Sequence, residues 1–320
     1  MSTEWNLTLQ KWESLAPVMK VLTFLGNEEF FLLLLPLVYL CVDARLGLRL
    51  GALVLGSDIL NNLLKVLFAM PRPYWADNRV QALMQDTSYG MPSSHAQNAA
   101  AVWPYLALMS RRAWMWIVAG VLVLGIGISR MAVGVHYMGD VVVGWAIGAV
   151  VLVLFLALIP KLENWYRSQS LVNQIFVASA IVLIVLALRF AIDVLRPVEQ
   201  NVAWAQMIAK AQTWDAIAAR TGALWGLLVG GALMLRSARF ATEGSIGQRV
   251  ARFCVALIGV AVCWKGLSAV FPREPEIVGL MFRFVRYALL TLWVTWGAPV
   301  LFLKLNWLRS RPLQSTLNAA

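Results

Sequence analysis

Histidine is nearly missing from this chain, and cysteine is little more common. Its 320 residues hold two histidines, His95 and His136, and three cysteines, Cys41, Cys254 and Cys263. No set of them stands at metal-ligand spacing, and no metal or other cofactor is expected. The cysteines lie in or beside apolar runs and give no disulfide framework. Charge is scarce as well, at 13% of residues against 60% hydrophobic. Acids are the rarer sign, 16 against 27 Lys and Arg, for a net charge of +11. The basic residues cluster in short connections between apolar runs. That placement suits cytoplasmic loops and anionic lipid surfaces, and it removes the excess as an argument for a nucleic-acid partner. The N-terminus opens polar, so no cleavable signal peptide is expected.

What fills the chain instead is apolar runs, several of them long enough to cross a bilayer at about 20 residues per span. The expected fold is all-α, a polytopic transmembrane helical bundle of about nine spans. They are placed at roughly 27–42, 48–69, from 94, 113–130, 140–159, 171–192, 218–235, 250–271 and 284–305. Ahead of them, residues 5–22 put Trp5, Leu9, Trp12, Leu15 and Met19 at helical spacing, which reads as an interfacial helix within 1–26. Polar residues at 160–170 divide a block at 27–160 from a second at 171–320. The connections at 43–49, 110–112, 160–170 and 236–252, with the C-terminal tail, carry many cations (Arg45, Arg49, Arg111, Arg112, Lys161 and Arg167 among them). Their acids are Asp43, Glu163 and Glu243. By the positive-inside rule that side is cytoplasmic, which puts the 70–92 loop and the turn before Asp140 together on the outer face.

Both outer segments carry residues suited to phosphate. Ser129 to Asp140 reads Ser-Arg-Met-Ala-Val-Gly-Val-His-Tyr-Met-Gly-Asp. His136 and Asp140 stand four apart and would share one face of a helix. A carboxylate there fixes the tautomer of the imidazole and leaves its other nitrogen free to attack an electrophile. Arg130 adds a planar fork of donors suited to phosphate. Taken alone, the stretch is equally an interfacial His and Arg at a membrane surface. Earlier in the chain, Asp58, Asn61, Asn62 and Lys65 form a polar stripe on an apolar helix, followed by Arg72-Pro73. Such a stripe within a bilayer is costly and points to function. It reads as a chain that keeps Lys65 protonated and aimed at phosphate, unless Asp58 pairs with a cation such as Arg189. Pro92-Ser93-Ser94-His95 opens the third span, where helix amides and serine hydroxyls cradle an anion and His95 can protonate a leaving oxygen.

The three blocks, Lys-x6-Arg-Pro, Pro-Ser-Ser-His and Ser-Arg-x5-His-x3-Asp, occur in order. Together they resemble the signature of the type-2 phosphatidic acid phosphatase superfamily over about residues 50–155. One departure is Ser94, where the family usually has Gly. Serine is small and keeps a hydroxyl near the phosphate, so activity is expected to survive. The resemblance implies that His136 is the nucleophile and forms a phosphohistidine, with Asp140 orienting it. It implies that His95 protonates the leaving group and then activates water. Lys65, Arg72, Ser93, Ser94, Ser129 and Arg130 would bind the phosphoryl oxygens, by a mechanism that needs no metal.

The implied activity is an integral-membrane lipid phosphatase on the outer, periplasmic face of an inner membrane. Its leading substrate is a polyprenyl diphosphate, with phosphatidate and phosphatidylglycerophosphate close behind. A phosphotransferase using the same histidine and a lipid transporter are the rivals; a vanadate haloperoxidase, soluble in related folds, ranks last. The second block has no histidine and no second Ser-His pair. Gly222, Gly226 and Gly230 recur at every fourth place, a helix-packing pattern. Residues 171–320 therefore read as accessory helices that shape a groove for a lipid tail or pair protomers into a homodimer.

Overall fold

The computed structural model describes residues 2–196, 204–237 and 239–311; the tail after 311 lies outside the described residues. In chain order the helices are α1 (Glu4–Gln10), α2 (Ala16–Phe24), α3 (Glu28–Leu37), α4 (Ala44–Phe68), α5 (Pro73–Ala76), α6 (Ser94–Ser110), α7 (Ala113–Ala132) and α8 (Met138–Ser168). They continue as α9 (Leu171–Leu195), α10 (Ala205–Ala211), α11 (Asp215–Ser237), α12 (Ile246–Ala261), α13 (Leu267–Val270), α14 (Glu276–Leu292) and α15 (Ala298–Lys304). A three-residue antiparallel pair, Arg239–Ala241 with Arg309–Arg311, has Phe240 opposite Ser310.

Among the described residues seven helical stretches are long and apolar enough to cross a membrane, and eight if the bent pair Glu13–Phe24 and Glu28–Val42 counts as one span. The protein is a multi-span membrane protein. The remaining member of the nine expected is α6, 17 residues long. Nine of its residues are buried, among them Gln97 and Asn98 in an unbroken run from Ala96 to Val102, while Leu108 and Met109 near its far end are exposed. A helix enclosed by protein does not need the apolar surface that lipid demands. The opposite case is α8, whose most apolar stretch is only 11% buried by the rest of the chain. That apolar surface is tolerable in a bilayer and not in water.

The expected single helix over 5–22 is instead two helices joined through a short turn at Glu13–Leu15. The Lys11 to Trp12 junction leaves helical geometry, and Pro17 in the first turn of α2 starts a new helix because it lacks the N–H that continuation requires.

The chain forms two compact units, neither a single stretch of sequence. One gathers the described residues within 1–31, 53–160 and 184–217; the other those within 32–52, 161–183 and 218–320. In the first unit α6 and α8 are packed backbone to backbone. A Cβ on Gly148 would stand 2.2 Å from the Gln97 carbonyl oxygen, and one on Gly144 2.7 Å from that of Ser93. Glycine one turn apart on α8 therefore brings the start of α6 against the start of α8.

In the second unit the glycine stripe is a packing seam. Cβ atoms on Gly222 and Gly226 would lie 2.3 and 2.1 Å from the carbonyl oxygens of Phe284 and Ala288 on α14. Tyr39, Leu40, Met234, Phe240, Ala256 and Phe302 contribute to its apolar core. Glu163 gathers Arg45, Arg49 and Arg167 around one carboxylate.

Candidate active site

The first unit brings the three polar blocks together at one end of α4, α6, α7 and α8. α7 ends in a turn that only glycine can make: Gly134 has φ +81°, and a Cβ there would meet the Gln81 carbonyl oxygen at 2.2 Å. His136 follows in this turn, ahead of the helix rather than on it, because α8 begins at Met138. Its four-residue spacing to Asp140 works through the turn. Asp140, in the first turn of α8, folds back so that its Oδ2 accepts from the Tyr137 amide at 3.0 Å and meets His136 Nδ1 at 3.2 Å. A carboxylate at a helix N-terminus is also favoured by the helix dipole.

That contact assigns the tautomer. A carboxylate only accepts, so Nδ1 carries the proton and Nε2 has the lone pair. Consistently, Arg72 Nη1, which only donates, stands 3.4 Å from Nε2. His136 and Asp140 are both fully buried. Burial, with the nearby cations Arg72, Lys65 and Arg130, holds the His136 imidazole well below the usual histidine range, so it is neutral near pH 7.

Three cations surround it, all buried. Lys65 donates to the carbonyls of Tyr89 and Gly90. Arg72 donates to Ser88 O at 2.6 Å and to Val135 O at 2.9 Å. Arg130 donates to the Thr23 hydroxyl on α2. Ser93 caps α6, accepting from the Ala96 amide, and its own amide donates to Asp140 O at 3.0 Å. Ser94 opens the helix beside it, and His95 follows in the first turn.

Ser129 is placed differently from the others. Its hydroxyl donates to Ile126 O at 2.7 Å inside α7, so its one hydrogen is committed within the helix. The expected relay from Asp58 to Lys65 is also not what the stripe forms. Asn98 Nδ2 donates to Asp58 Oδ1 at 2.8 Å, and Asn61 Nδ2 donates to Gln97 Oε1 at 2.8 Å. The stripe is a polar seam between α4 and α6. Arg189, the alternative partner considered for Asp58, pairs with Asp193 one turn on.

Four residues outside the motifs complete the site. Asn6, fully buried on α1, donates to Met131 O at 2.9 Å and His136 O at 3.0 Å, clamping the turn that carries His136. Asn27 Oδ1, between α2 and α3, stands 2.8 Å from His95 Nε2. The preceding Gly26 lies against the same ring, where a Cβ would come within 2.6 Å of Cδ2. Thr23 holds Arg130, as above. Asp86 in the 77–92 loop pairs with Arg72 at 2.8 Å and stands 3.8 Å from Arg130. For Asn6, Thr23 and Asn27 the sequence offers no signal beyond a polar residue in an apolar stretch.

An unprotonated imidazole nitrogen, fixed by a carboxylate and flanked by three buried cations, is equipped to attack a phosphorus atom and stabilise the charge on its oxygens. Among the described residues no group of three or more His, Cys, Asp or Glu is placed to hold a metal ion.

The chain is similar to several known proteins. Residues 46–164 match the PAP2 superfamily, and residues 218–311 match the family described as PAP2 superfamily phosphatase, transmembrane extension. Phosphatidylglycerophosphatase B of Bacillus subtilis is 32% identical over 175 residues, covering 50% of this chain and 81% of that protein. Undecaprenyl-diphosphatase of Sulfolobus acidocaldarius is 31% identical over 106 residues, 33% of this chain and 51% of that one. The crystal structure of a transmembrane PAP2 type phosphatidylglycerolphosphate phosphatase from Bacillus subtilis is 30% identical, covers 50% of this chain and 84% of that chain, and superposes with a TM-score of 0.42.

Proposed function

The chain belongs to the PAP2 superfamily and is a membrane lipid phosphatase, and from that premise we propose that it hydrolyses a lipid phosphomonoester or diphosphate through a phosphohistidine on His136. The observation that carries the proposal is the His136 ring itself: Nδ1 on Asp140, and the Nε2 lone pair facing Arg72 inside the cluster of Lys65, Arg72 and Arg130.

In the first half-reaction Nε2 bonds to phosphorus, and the bond from phosphorus to the leaving oxygen breaks. The leaving alkoxide, or phosphate in a diphosphate, takes a proton from His95. In the second half-reaction His95 takes a proton from water, the water oxygen bonds to phosphorus, and the N–P bond breaks to release phosphate. Asn27 Oδ1 accepts from Nε2–H of His95, so the transferred proton is the one on Nδ1, and the first half-reaction begins with His95 as the imidazolium. Lys65, Arg72 and Arg130, with the Ser93–Ser94 start of α6, bind the phosphoryl oxygens. Phosphoryl transfer asks mainly for such positioning and charge stabilisation.

The leading substrate is a polyprenyl diphosphate, with phosphatidate and phosphatidylglycerophosphate behind it. Two of the relatives, a phosphatidylglycerophosphatase and an undecaprenyl-diphosphatase, are named for substrates within that set. The active site is read on the periplasmic face of an inner membrane, from the cations in the opposite loops. Residues 171–320 are accessory helices. The test is phosphate release by the purified protein from a panel of lipid phosphates, with acid-quench trapping of labelled phosphohistidine. Turnover without any phosphohistidine would remove the mechanism, and no phosphate from any lipid would remove the hydrolase reading for this chain.

A further inference from the structure

The segment Asp86–Gly90 occupies most of what the buried cations offer. Arg72 sends Nε to Ser88 O at 2.6 Å, Nη2 to Ser88 Oγ at 2.9 Å and Tyr89 O at 3.2 Å, and Nη1 to Val135 O and His136 Nε2. Lys65 is taken by the carbonyls of Tyr89 and Gly90. These contacts use all five donors of Arg72, so an incoming phosphoryl group competes for the charge of the guanidinium and not for a spare N–H.

Most of these partners are backbone carbonyls, fixed by the chain. Asp86 is different. Its Oδ2 stands 2.8 Å from Arg72 Nη2 and 3.8 Å from Arg130 Nη2, while Oδ1 accepts from the amide and hydroxyl of Ser88. Its side chain is 29% exposed where those of Arg72 and Arg130 are 0% and 3%. It is therefore the charged ligand on these arginines that has room to leave. Burial opposes its charge, but Arg72, Lys65 and Arg130 overcome that and hold its carboxyl below the usual range, so it is an anion.

We infer that Asp86 is a specificity-determining residue: an internal anion on Arg72 and Arg130 that a doubly charged phosphate displaces and a singly charged phosphodiester does not. The inference rests on the phosphatase reading. Exchanging one single charge for another gains little, whereas a terminal phosphate brings about −1.5 to −2. The selection matters in a bilayer, whose own phospholipids are phosphodiesters at very high local concentration. Three buried cations without an internal counter-ion would collect them.

The test uses purified full-length protein and two soluble probes, inorganic phosphate and dimethyl phosphate, read by thermal stabilisation at pH 8. The wild-type protein is expected to bind phosphate and to ignore dimethyl phosphate. Asp86→Asn is expected to bind phosphate roughly tenfold tighter, about 1.4 kcal/mol, and to gain binding of dimethyl phosphate. Its turnover should become sensitive to phosphatidylglycerol in mixed micelles, and Asp86→Glu should restore wild-type selectivity. Equal binding of both probes by the wild-type protein overturns the inference whatever the variants do. So does an Asp86→Asn protein with unchanged phosphate affinity, which would leave Asp86 merely holding the arginines. The binding arm needs no turnover, so a wild-type protein that releases no phosphate from any lipid sinks the hydrolase reading and leaves this test readable.

Discussion

Replacing Asp140 with Asn and with Ala should give two clearly different enzymes, because of where its hydrogen bonds fall. Both contacts, from Tyr137 N and His136 Nδ1, converge on Oδ2, while Oδ1 is buried with no hydrogen-bond partner. An asparagine has one acceptor and one donor end. With its oxygen in the Oδ2 position it keeps both bonds and loses only the charge. Turned the other way, it would leave the Tyr137 amide without an acceptor, at about 1–3 kcal/mol, and force His136 into the tautomer that cannot attack. The first orientation wins on those numbers. Asp140→Asn should therefore keep the nucleophilic tautomer and lose only stabilisation of the imidazolium, a fall in kcat of about 10²–10³. Asp140→Ala loses tautomer control as well and should fall by about 10⁴ or more. It should also lose about 1–3 kcal/mol of stability for the stranded Tyr137 amide. The assay is single-turnover phosphate release with the melting temperature measured on the same preparations. Equal kcat for the two variants at equal stability would refute the reasoning, because the orientation of the amide would then decide nothing.

His136→Ala should abolish turnover and phosphoenzyme while the protein still melts cooperatively; phosphate release near the wild-type rate would end the nucleophile assignment. Asn27→Ala should lower kcat roughly 10-fold to 100-fold for lipid alkoxide leaving groups and much less for a nitrophenyl phosphate, since acid help from His95 matters less there; an equal loss on both substrates would make Asn27 a packing residue. Cysteines placed in 76–88 should react with an impermeant thiol reagent on intact cells, and cysteines at 111–112 or 164–168 should not; the reverse pattern would put the site on the cytoplasmic face.

The part of the site that was legible in the sequence is the part whose chemistry is local. His136 and Asp140 are four residues apart and meet through one turn. Ser93 caps its own helix. Lys65 and Arg72 flank the end of α4, which terminates at Ala69 with φ +49° ahead of Pro71 and Pro73. The residues that escaped reach across the chain: Asn6 bridges 130 residues to His136, Arg130 reaches back 107 to Thr23, and His95 reaches back 68 to Asn27. Contacts of that separation leave no period in the sequence, and a single buried asparagine in an amphipathic segment resembles a solvated one. The spans were legible for the same local reason: each is an apolar run, and α6, whose start is marked by Pro92-Ser93-Ser94-His95, counts with the others although it is only 17 residues long.

The stripe on α4 shows where that reasoning stops. Spacing of three and four along a helix shows that Asp58, Asn61 and Lys65 share a face, and they do. It does not say what stands opposite. The partners are set by how α6 is registered against α4, and that register depends on α8, whose Gly144 and Gly148 allow close approach to Ser93 and Gln97. With α6 held there, Gln97 meets Asn61 and Asn98 meets Asp58. The stripe becomes a ladder between two helices that supports the start of α6, and Lys65, beyond its end, turns to the carbonyls of Tyr89 and Gly90 instead. The polar residues of α4 thus act on the site indirectly, by fixing the helix that presents Ser93 and His95.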